Sequence, residues 1–371
     1  MKILYVTTIS RTMNFFKSFV SELVKGGHSV EFACNCDYPV DSFYGDLVSK
    51  IHNLPFSRSP FDKSNLIAYK QLKKLVESGE YDIVHCHTPV AAMLTRLACR
   101  KVRKKGTKVI YTAHGFHFYK GSPKLNWLLF YTAERICSYF TDVLITINKE
   151  DHALAQKKLK AKKTEYVPGV GICIEKFQTC SADTQSLRSS FGFKDDDFVL
   201  ISVGELSVRK NHEVIIKALG KLGNPNIKCL IVGDGNLEQT LKALVKELKL
   251  DNQVVFAGYR NDISDLLHAS DAFVFPSLQE GLPVVLMEAM ASGLPIICSN
   301  IRGNTDLIVD GKGGYLVNPR DVDGIAKAIK TLVDNNDTLE EMIKTNAEII
   351  KKFDIRNINK EMLNIYKIDK R

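Results

Sequence analysis

Short runs of apolar, β-branched residues alternate along this sequence with longer segments whose apolar residues recur at helical spacing. Ile3–Val6 is such a run, Phe15–Lys25 carries its apolar residues on one helical face, and Ser29–Ala33 is the next run. Strands joined through helices pair in parallel, because a parallel crossover needs about a dozen residues. The pattern therefore predicts an α/β fold, with a parallel sheet covered by helices on both faces.

The alternation continues through the first half of the chain and begins again after residues 168–171. In the first half it predicts further strands at Ile83–His85, Val109–Thr112 and Val143–Ile147. In the second half it predicts strands at Phe198–Val203, Lys228–Val232, Val254–Ala257, Ala272–Phe275, Pro295–Cys298 and Gly314–Val317. The helices expected between these later strands are Glu213–Lys221, Leu237–Lys249, Asp262–Ala269, Pro283–Ala291 and Val322–Val333.

This restart of the pattern predicts two domains. A chain of 371 residues is too long for one ordinary core, and the proline and glycines at 168–171 supply a link between two cores. We therefore expect an α/β protein with two Rossmann-like, doubly wound domains facing a cleft, residues 1–168 and residues 169–354. Open α/β sheets bind ligands at the carboxyl ends of their strands, so the functional residues are expected there.

Charge is divided unevenly between the two halves. The net charge is +9, but residues 1–170 hold 26 basic and 14 acidic side chains, whereas residues 171–371 hold 25 and 28. Two dense basic runs contribute to the excess: Arg96, Arg100, Lys101, Arg103, Lys104 and Lys105, then Lys157, Lys158, Lys160, Lys162 and Lys163. Such runs suit an anionic membrane surface and are equally typical of solvated helix ends. No recognised nucleic-acid-binding module accompanies them, so nucleic acid is disfavoured as a partner.

The cysteines and the apolar segments indicate the cellular compartment in which the protein is expected. The nine cysteines are odd in number and the chain is large, so reduced thiols in an intracellular protein are the simpler interpretation. His85-Cys86-His87 has no second half at zinc-site spacing, and no metal is predicted. The first residues lack a signal-peptide pattern, and no apolar stretch reaches the ~18 residues of a membrane span. We expect a cytoplasmic protein, peripheral on the inner face of the membrane if the basic runs bind lipid.

Two glutamates follow the predicted strand Ala272–Phe275 in a pattern suited to binding. Glu280 lies in the strand-to-helix loop, Pro283 is expected in the first helical turn, and Glu288 lies further along the helix. Amides of residues 281–284 offer hydrogen-bond donors to an anion at the helix N-terminus. The carboxylates would then bind sugar or ribose hydroxyls. The alternative is that both are ordinary charged helix residues, but the apolar neighbours of Glu288 disfavour this, because a buried carboxylate needs a partner.

Loops after other predicted strands carry cations, glycines and an aromatic ring. Arg209 and Lys210 are adjacent cations suited to a pyrophosphate, although a basic surface pair is the commoner case. Gly233–Gly235 lacks the third glycine of a dinucleotide fingerprint, which argues against a dehydrogenase. Tyr259 and Arg260 offer a ring and a guanidinium that can stack on a base.

Histidines occur near strand ends in the first half. His87 lies just after one predicted strand, and His114 and His117 follow another. Several imidazoles at one sheet edge are able to bind phosphate or to polarise a hydroxyl, whereas a lone buried histidine is more often structural.

These motifs together resemble the retaining glycosyltransferases of family 4, which have the two-Rossmann GT-B fold. The resemblance is carried by Glu280-x7-Glu288, Gly233-Asp234-Gly235, Gly258-Tyr259-Arg260 and Pro168-Gly169-Val170-Gly171, and it covers nearly the whole chain. The segments around His114–His117 and Gly204–His212 are similar to those of enzymes that make bacterial capsule and exopolysaccharide. The resemblance implies transfer of a sugar from a nucleotide diphosphate sugar to an acceptor, without a metal or other cofactor.

The resemblance also implies roles for individual residues. Glu280 and His114 would be the catalytic residues, on the hydroxyls of the donor sugar and near the transferred sugar. The donor would be held by Gly204, Arg209, Lys210, Gly233, Tyr259, Arg260, Gly281, Leu282, Pro283, Val284 and Glu288. His87 and His117 would lie on the acceptor side, in the first domain, which a C-terminal helix over Ile355–Ile368 would complete (residues 355–371). The expected partners are a nucleotide-sugar donor, with a UDP-linked N-acetylhexosamine considered first, and a lipid-linked saccharide or oligosaccharide acceptor.

The sequence departs from the family pattern at two places. Glu205 stands where the family usually has an arginine, so one phosphate cation is lost unless Arg209 replaces it. The loop after the first strand lacks the glycines that allow close approach to a donor. Two other functions also remain open: a nucleotide-sugar epimerase of the same fold, which would convert the donor without an acceptor, and a non-catalytic nucleotide-sugar-binding protein, which would tolerate loss of Glu280.

Overall fold

The structure is a computed structural model that describes residues 1–367. Two compact units divide the chain: unit 1 is Met1–Val170 together with the segment that begins at Ile355, and unit 2 is Gly171–Asp354. The first division falls within the Pro- and Gly-rich segment where the sequence predicts a link. No helix among residues 1–367 combines the length and the apolar character that crossing a bilayer requires.

A parallel sheet forms the centre of unit 1. Its strands within the described residues are β1 (Lys2–Ile9), β2 (Ser29–Asn35), β3 (Lys50–Asn53), β4 (Ile83–His87), β5 (Lys108–Ala113), β6 (Val143–Thr146) and β7 (Lys163–Tyr166). They lie in the order β3-β2-β1-β4-β5-β6-β7, and every neighbouring pair is parallel. The five inner strands lie where the apolar runs predict them. The edge strands β3 and β7 are not predicted, because they are short, polar and partly exposed.

Helices cover both faces of this sheet. They are α1 (Lys17–Lys25), α2 (Ser64–Ser78), α3 (Pro89–Ala98), α4 (Arg100–Arg103), α5 (Lys124–Asn126), α6 (Thr132–Ser138) and α7 (Lys149–Lys158), with a π-helical turn, Trp127–Tyr131, between α5 and α6. The segment predicted as one helix from Phe15 is instead a 3₁₀-helix over Ser10–Phe16 followed by α1. Side chains alternate along β1, so that Leu4 packs into one apolar core and Ile3 into the other.

A second parallel sheet forms the centre of unit 2. Its strands are β8 (Phe198–Val203), β9 (Ile227–Val232), β10 (Val254–Gly258), β11 (Ala272–Phe275), β12 (Ile296–Ser299) and β13 (Gly314–Val317). Their order is β10-β9-β8-β11-β12-β13. Each strand predicted in the second half of the sequence coincides with one of these, because all of them are buried along at least part of their length.

The helices of unit 2 lie between and after these strands. They are α8 (Ile174–Gln178), α9 (Thr184–Ser190), α10 (Glu213–Leu222), α11 (Glu238–Glu247), α12 (Ile263–His268), α13 (Val284–Ala291), α14 (Asn304–Leu307), α15 (Val322–Asp334) and α16 (Asn336–Ile350). Pro283 adopts an extended conformation (φ −76°, ψ 118°) as the N-cap of α13. The expectation that it lies in the first helical turn is therefore wrong by one position.

The chain returns to unit 1 as α17 (Ile355–Tyr366). The Tyr366 hydroxyl lies 2.6 Å from His85 Nδ1 and donates to the Tyr5 hydroxyl at 2.9 Å. The helix predicted over 355–368 coincides with α17, and its last residue, Ile368, lies outside the described residues. Unit 1 is thus completed by a helix that follows unit 2 in sequence.

Arg96, a member of the first basic run, is buried. It lies in α3, exposes 1% of its surface and forms two hydrogen bonds with Glu134 of α6, Nη1 to Oε2 at 2.8 Å and Nη2 to Oε1 at 3.1 Å. Tyr111 of β5 donates to the same carboxylate at 3.2 Å, and its ring centre lies 4.1 Å from the guanidinium carbon. Arg96 therefore joins α3 to α6 and is not part of a basic surface.

Replacing Arg96 with methionine is expected to destabilise unit 1 by about 3–5 kcal/mol, because Glu134 would remain buried without its counter-charge. Urea unfolding of the full chain measures the change. Lys101→Met is the matched control: Lys101 belongs to the same run but is exposed and lies 3.9 Å from Glu77, so the loss should stay below about 1 kcal/mol. Equal losses in the two variants would contradict the burial of Arg96.

Candidate functional site

Side chains from two loops of unit 2 meet at the carboxyl edge of its sheet. Arg209 and Lys210 lie between β8 and α10, and Glu280 lies between β11 and α13. β8 and β11 are neighbours in the sheet, so the loops that follow them are adjacent. Arg209 Nη1 and Lys210 Nζ each lie 2.8 Å from the same atom, Oε1 of Glu280. The structure thus brings together three residues that the sequence selects separately.

The two cations differ in exposure. The Lys210 side chain is 11% exposed, and its Nζ lies 4.5 Å from the centre of the Phe275 ring. Burial lowers the pKa of Lys210, and Glu280 opposes that shift. The Arg209 side chain is 45% exposed, and its guanidinium also donates to the carbonyl of Gln279 at 3.2 Å. Arg209 is therefore the cation that a ligand reaches from solvent, while Lys210 holds Glu280 from the buried side.

Asn211, which sequence reasoning did not select, ties this loop to two others. Its side-chain amide donates to the carbonyls of Pro276 at 3.0 Å and Pro319 at 2.7 Å. Its φ is +59°, in the left-handed region that asparagine tolerates better than most residues. The signal available in the sequence is an asparagine directly after Lys210, where the chain must turn.

Gly233 allows two loops to cross closely. A Cβ at this position would lie 2.1 Å from the carbonyl oxygen of Gly204, and φ is +136°. The Gly233 N–H donates to the carbonyl of Gly258 at 2.8 Å. Loop packing thus accounts for this glycine, and direct contact of Gly204 or Gly233 with a donor stays a prediction.

The N-terminus of α13 lies at the same edge, directly after the Glu280 loop. No side chain caps it, so the amides of its first turn keep hydrogen-bonding capacity for an anion. A Cβ at Gly303 would lie 2.3 Å from the carbonyl oxygen of Gly281. This close backbone contact supports the loop that leads into the helix.

Glu288 lies inside α13, more than one turn from its start. Burial raises its pKa to about 7, and Lys176 of α8 opposes the shift. Its neighbours Met287 and Ala289 are buried in the core. The raised pKa favours the protonated form of Glu288 more than in a free glutamate, and hydrogen bonds donated by a ligand would favour the charged form.

Tyr259 and Arg260 follow β10. Tyr259 is exposed. The Arg260 guanidinium is paired with Asp262, Nε to Oδ1 at 2.8 Å and Nη2 to Oδ2 at 2.5 Å, and its carbon lies 6.0 Å from the centre of the Phe191 ring. Because Arg260 is already engaged, Tyr259 is the better placed of the two to meet a base.

In unit 1, histidines gather at the carboxyl edge of the sheet. His87 Nδ1 and His114 Nε2 lie 3.0 Å apart, and the rings of His85 and His87 are 4.1 Å apart. The ring of His117 instead packs against Phe130 at 4.8 Å. No group of three or more His, Cys, Asp or Glu side chains within residues 1–367 is arranged to hold a metal ion.

The clustered imidazoles are uncharged near neutral pH. Burial lowers the pKa of His85 to about 3 and that of His114 to about 4, and it holds the pKa of His87 well below its usual range. Of the two roles expected for them, polarising a hydroxyl fits this charge state better than binding phosphate. His87 exposes only 2% of its surface and lies against His114, and the acceptor contact expected of it stays a prediction.

The hydrogen bond between His87 and His114 also favours one tautomer. Nε2 of His87 has no hydrogen-bond partner within residues 1–367. A bare lone pair there costs less than an unpaired N–H, so the proton belongs on Nδ1, where it is donated to His114 Nε2. His114 then carries its own proton on Nδ1.

Two family models match the chain, one in each unit. The model described as "Glycosyl transferase 4-like" matches residues 2–148, and the model described as "Glycosyl transferases group 1" matches residues 183–349. Together the matched segments span most of the chain.

Curated relatives match over long stretches. The chain is 39% identical over 323 residues to the putative glycosyltransferase EpsD of Bacillus subtilis (strain 168), covering 86% of this chain and 85% of that protein. It is 34% identical over 280 residues to the UDP-Gal:alpha-D-GlcNAc-diphosphoundecaprenol alpha-1,3-galactosyltransferase of Escherichia coli, covering 74% and 70%. The capsular polysaccharide biosynthesis glycosyltransferase CapM of Staphylococcus aureus is 26% identical over 381 residues, covering 98% and 96%.

Solved structures share the fold. HepE of Anabaena, solved in complex with UDP and glucose, matches with a TM-score of 0.83 at 20% identity and covers 99% of both chains. A glycosyltransferase of Rickettsia africae ESF-5 matches with a TM-score of 0.77 at 20% identity, covering 99% of this chain and 97% of that one. At this identity the likeness establishes the two-Rossmann fold alone.

The protonation of Glu288 gives a test of its environment. Since its pKa is raised from 4.5 to about 7 on folding, the free energy of unfolding should fall as the pH rises through this interval. Glu288→Gln should remove that dependence and gain about 3 kcal/mol in the free energy of unfolding over the wild type at about pH 8, with little difference at about pH 4. Urea titrations at the two pH values measure it. If Glu288→Gln changed the free energy of unfolding by the same amount at both pH values, the raised pKa of Glu288 would be contradicted.

Proposed function

The chain belongs to family 4 of the glycosyltransferases, with the GT-B fold, and we propose that it moves a sugar from a UDP-sugar to a lipid-linked saccharide with retention at the anomeric carbon. In this proposal the product enters a surface polysaccharide. The observation that carries it is the meeting of Arg209 and Lys210 on Glu280 Oε1, beside the uncapped N-terminus of α13. Cations and a helix N-terminus suit a diphosphate, and a carboxylate suits sugar hydroxyls.

Stabilising the departing diphosphate is the main catalytic task in this mechanism. The bond between the anomeric carbon and the β-phosphate oxygen breaks, and its electron pair leaves with the phosphate toward Arg209, Lys210 and the amides of residues 281–284. The acceptor hydroxyl oxygen attacks the same face of the sugar, and its proton passes to the departing phosphate oxygen. Glu280 holds sugar hydroxyls, and no glycosyl ester forms on it. No metal or cofactor takes part in these steps.

Binding of the donor should rearrange the ion pairs of the free protein. Glu280 already neutralises part of the charge of Arg209 and Lys210, and a diphosphate competes for both. Arg209 is the more exposed cation, so we propose that it turns to the diphosphate while Lys210 stays with Glu280. Glu205, which stands where the family usually has an arginine, is exposed and raises the pKa of Lys210. Arg209 then takes the place of the missing arginine.

The remaining donor and sugar contacts are proposed on the same basis. Glu288 accepts hydrogen bonds from ribose hydroxyls, and its raised pKa falls when they bind. Tyr259 lies against the base, with Arg260 beside it. The loop residues Gly281, Leu282, Pro283 and Val284 line the donor phosphate and sugar. His114 donates from Nδ1 to the transferred sugar.

Relatives support the choice of donor and acceptor class. HepE has also been solved with UDP-glucose, and the name of the Escherichia coli relative states a UDP-galactose donor and a diphosphoundecaprenol-linked acceptor. For this chain we propose a UDP-sugar, with an N-acetylhexosamine tested first, and a lipid-linked acceptor reached from the cytoplasmic face of a membrane. The basic residues that stay exposed in unit 1, such as Lys104 and Lys105, then attract anionic lipid.

Thermal unfolding with a panel of nucleotide sugars identifies the donor, because a ligand that binds the folded state raises its stability. Incubation of that donor with a lipid-linked saccharide should then yield a product with retained anomeric configuration. Conversion of the donor without any acceptor would instead indicate an epimerase. Binding without conversion, unaffected by Glu280→Ala in the cell, would indicate a binding protein.

Arg209→Met is expected to weaken UDP binding about ten- to a hundredfold, since a charge-assisted contact to phosphate is worth about 1.5–3 kcal/mol. Isothermal titration calorimetry measures the dissociation constant. Lys221→Met is the control in the same unit, because Lys221 is exposed and pairs with Asp323 at 2.5 Å. If the two variants bind UDP alike, Arg209 does not hold the diphosphate.

Glu280→Gln is expected to lower the transfer rate at least about a hundredfold. UDP affinity should be kept or strengthened, because the carboxylate that competes for Arg209 and Lys210 is gone. Product formation and calorimetry separate the two effects, and circular dichroism confirms folding. A sugar ester on Glu280, detected by mass spectrometry of the quenched wild-type reaction, would overturn the front-face mechanism.

A further inference from the structure

The helical segment from α5 through α6 turns its apolar side to solvent. The outward residues recur at helical spacing and form what we call the apolar face: Leu125, Leu128, Leu129, Ile136 and Tyr139. Leu125 and Leu128 expose 61% and 67% of their surface. A solvated helix normally turns polar residues outward, and a contiguous apolar surface marks a site of interaction.

The other side of the segment is anchored, which fixes this orientation. Glu134, its acidic residue, is turned inward to the buried Arg96 at 2.8 Å. The rings of Trp127 and Tyr131 both pack on Phe118, with ring centres 5.5 Å apart in each pair. The apolar face is therefore held outward by core contacts made on the opposite side of the same helix.

Basic side chains border the apolar face. Arg135 donates from Nη1 to the carbonyl of Lys158 at the end of α7. The exposed Lys124 directly precedes Leu125, and the Arg100 guanidinium carbon lies 5.5 Å from the centre of the ring of Phe140, the residue after Tyr139. Cationic side chains thus lie beside both ends of the apolar face.

We propose that the apolar face inserts into the interface of an anionic lipid bilayer. Leucine and isoleucine are buried favourably at the boundary of the acyl chains, tyrosine suits the headgroup level, and the cationic border attracts anionic lipid. The inference rests on the proposed function only in that a lipid-linked acceptor gives the enzyme a substrate at that surface.

Charge also selects the bilayer over a second copy of this chain. In a two-fold interface the same patch meets itself, so the two cationic borders would lie opposite one another. Like charges brought together at an interface oppose association. An anionic bilayer covers the apolar face and neutralises its border at the same time.

The basic runs by themselves offer less charge than the sequence suggests. The charge of Arg96 is neutralised by Glu134 in a buried ion pair. Arg103 and Lys162 both form ion pairs with Asp142, at 3.0 and 2.8 Å. Electrostatic attraction is therefore carried by fewer residues, and the apolar face supplies the rest of the docking energy.

Cosedimentation of the full chain with phosphatidylglycerol vesicles tests the proposal. The triple variant Leu125→Ser, Leu128→Ser, Ile136→Ser is expected to bind at least about tenfold more weakly. High salt should weaken wild-type binding as well, because the cationic border contributes. Vesicle binding that the triple variant keeps in full would overturn the proposal.

A matched control changes exposed apolar residues elsewhere in unit 1. Phe61→Ser, Leu66→Ser, Ile67→Ser replaces three side chains that are at least as exposed, with exposures of 82%, 66% and 53%. This variant should bind vesicles as the wild type does. Equal weakening in both triple variants would show that apolar exposure in general, and not the apolar face, governs binding.

A tryptophan placed on the apolar face reports insertion directly. The variant Trp127→Phe, Leu128→Trp moves the single tryptophan of the chain to a position on the face that is 67% exposed, so lipids brominated in the upper acyl chain should quench its fluorescence when the protein is bound. Absence of quenching in bound protein would overturn insertion. A dimer in sedimentation that the triple variant abolishes would assign the face to self-association instead.

Transfer to a water-soluble acceptor analogue separates this inference from the proposed function. The triple variant should retain that transfer, because the change lies outside the proposed donor site. Loss of vesicle binding with transfer intact supports docking through the apolar face. Absence of transfer in the wild type counts against the proposed function and leaves the vesicle result to decide the docking.

Discussion

The adjacency of β8 and β11 at the centre of a parallel sheet determines where the candidate binding residues of unit 2 lie. Arg209 and Glu280 are 71 positions apart in sequence, yet they meet because each follows one of these neighbouring strands. Asn211 then fastens the cationic loop to the ends of two other strands. The charged contact at Glu280 thus depends on sheet order more than on any local sequence signal.

The central strands could be predicted because burial on both faces leaves continuous apolar runs. The edge strand β3 is not predicted, because it is partly exposed to water and its polar residues are typical of a loop. Helix α13 differs from its predicted range only at the first position, because Pro283 satisfies the sequence preference for a helix start while remaining extended. Sequence patterns thus reveal burial better than they reveal boundaries.

The sequence indicates the cations at strand ends but does not indicate their partners. Arg209 and Arg260 look alike locally, each in a loop after a strand, yet one meets Glu280 across the sheet edge and the other folds back on Asp262. Arg96 looks like one cation in a basic run, and its partner Glu134 lies 38 positions away. Such pairings depend on tertiary contact, which no spacing rule supplies.

Helix α17 has a consequence for the order in which the molecule is built. Unit 2 is one continuous stretch, whereas unit 1 consists of the residues before it and a helix after it. A nascent chain can therefore fold unit 2 on the ribosome before α17, which completes unit 1, has been synthesised. Tyr366, which bonds to His85, arrives with that helix. The histidine edge of unit 1 thus takes its final arrangement after unit 2 has been synthesised.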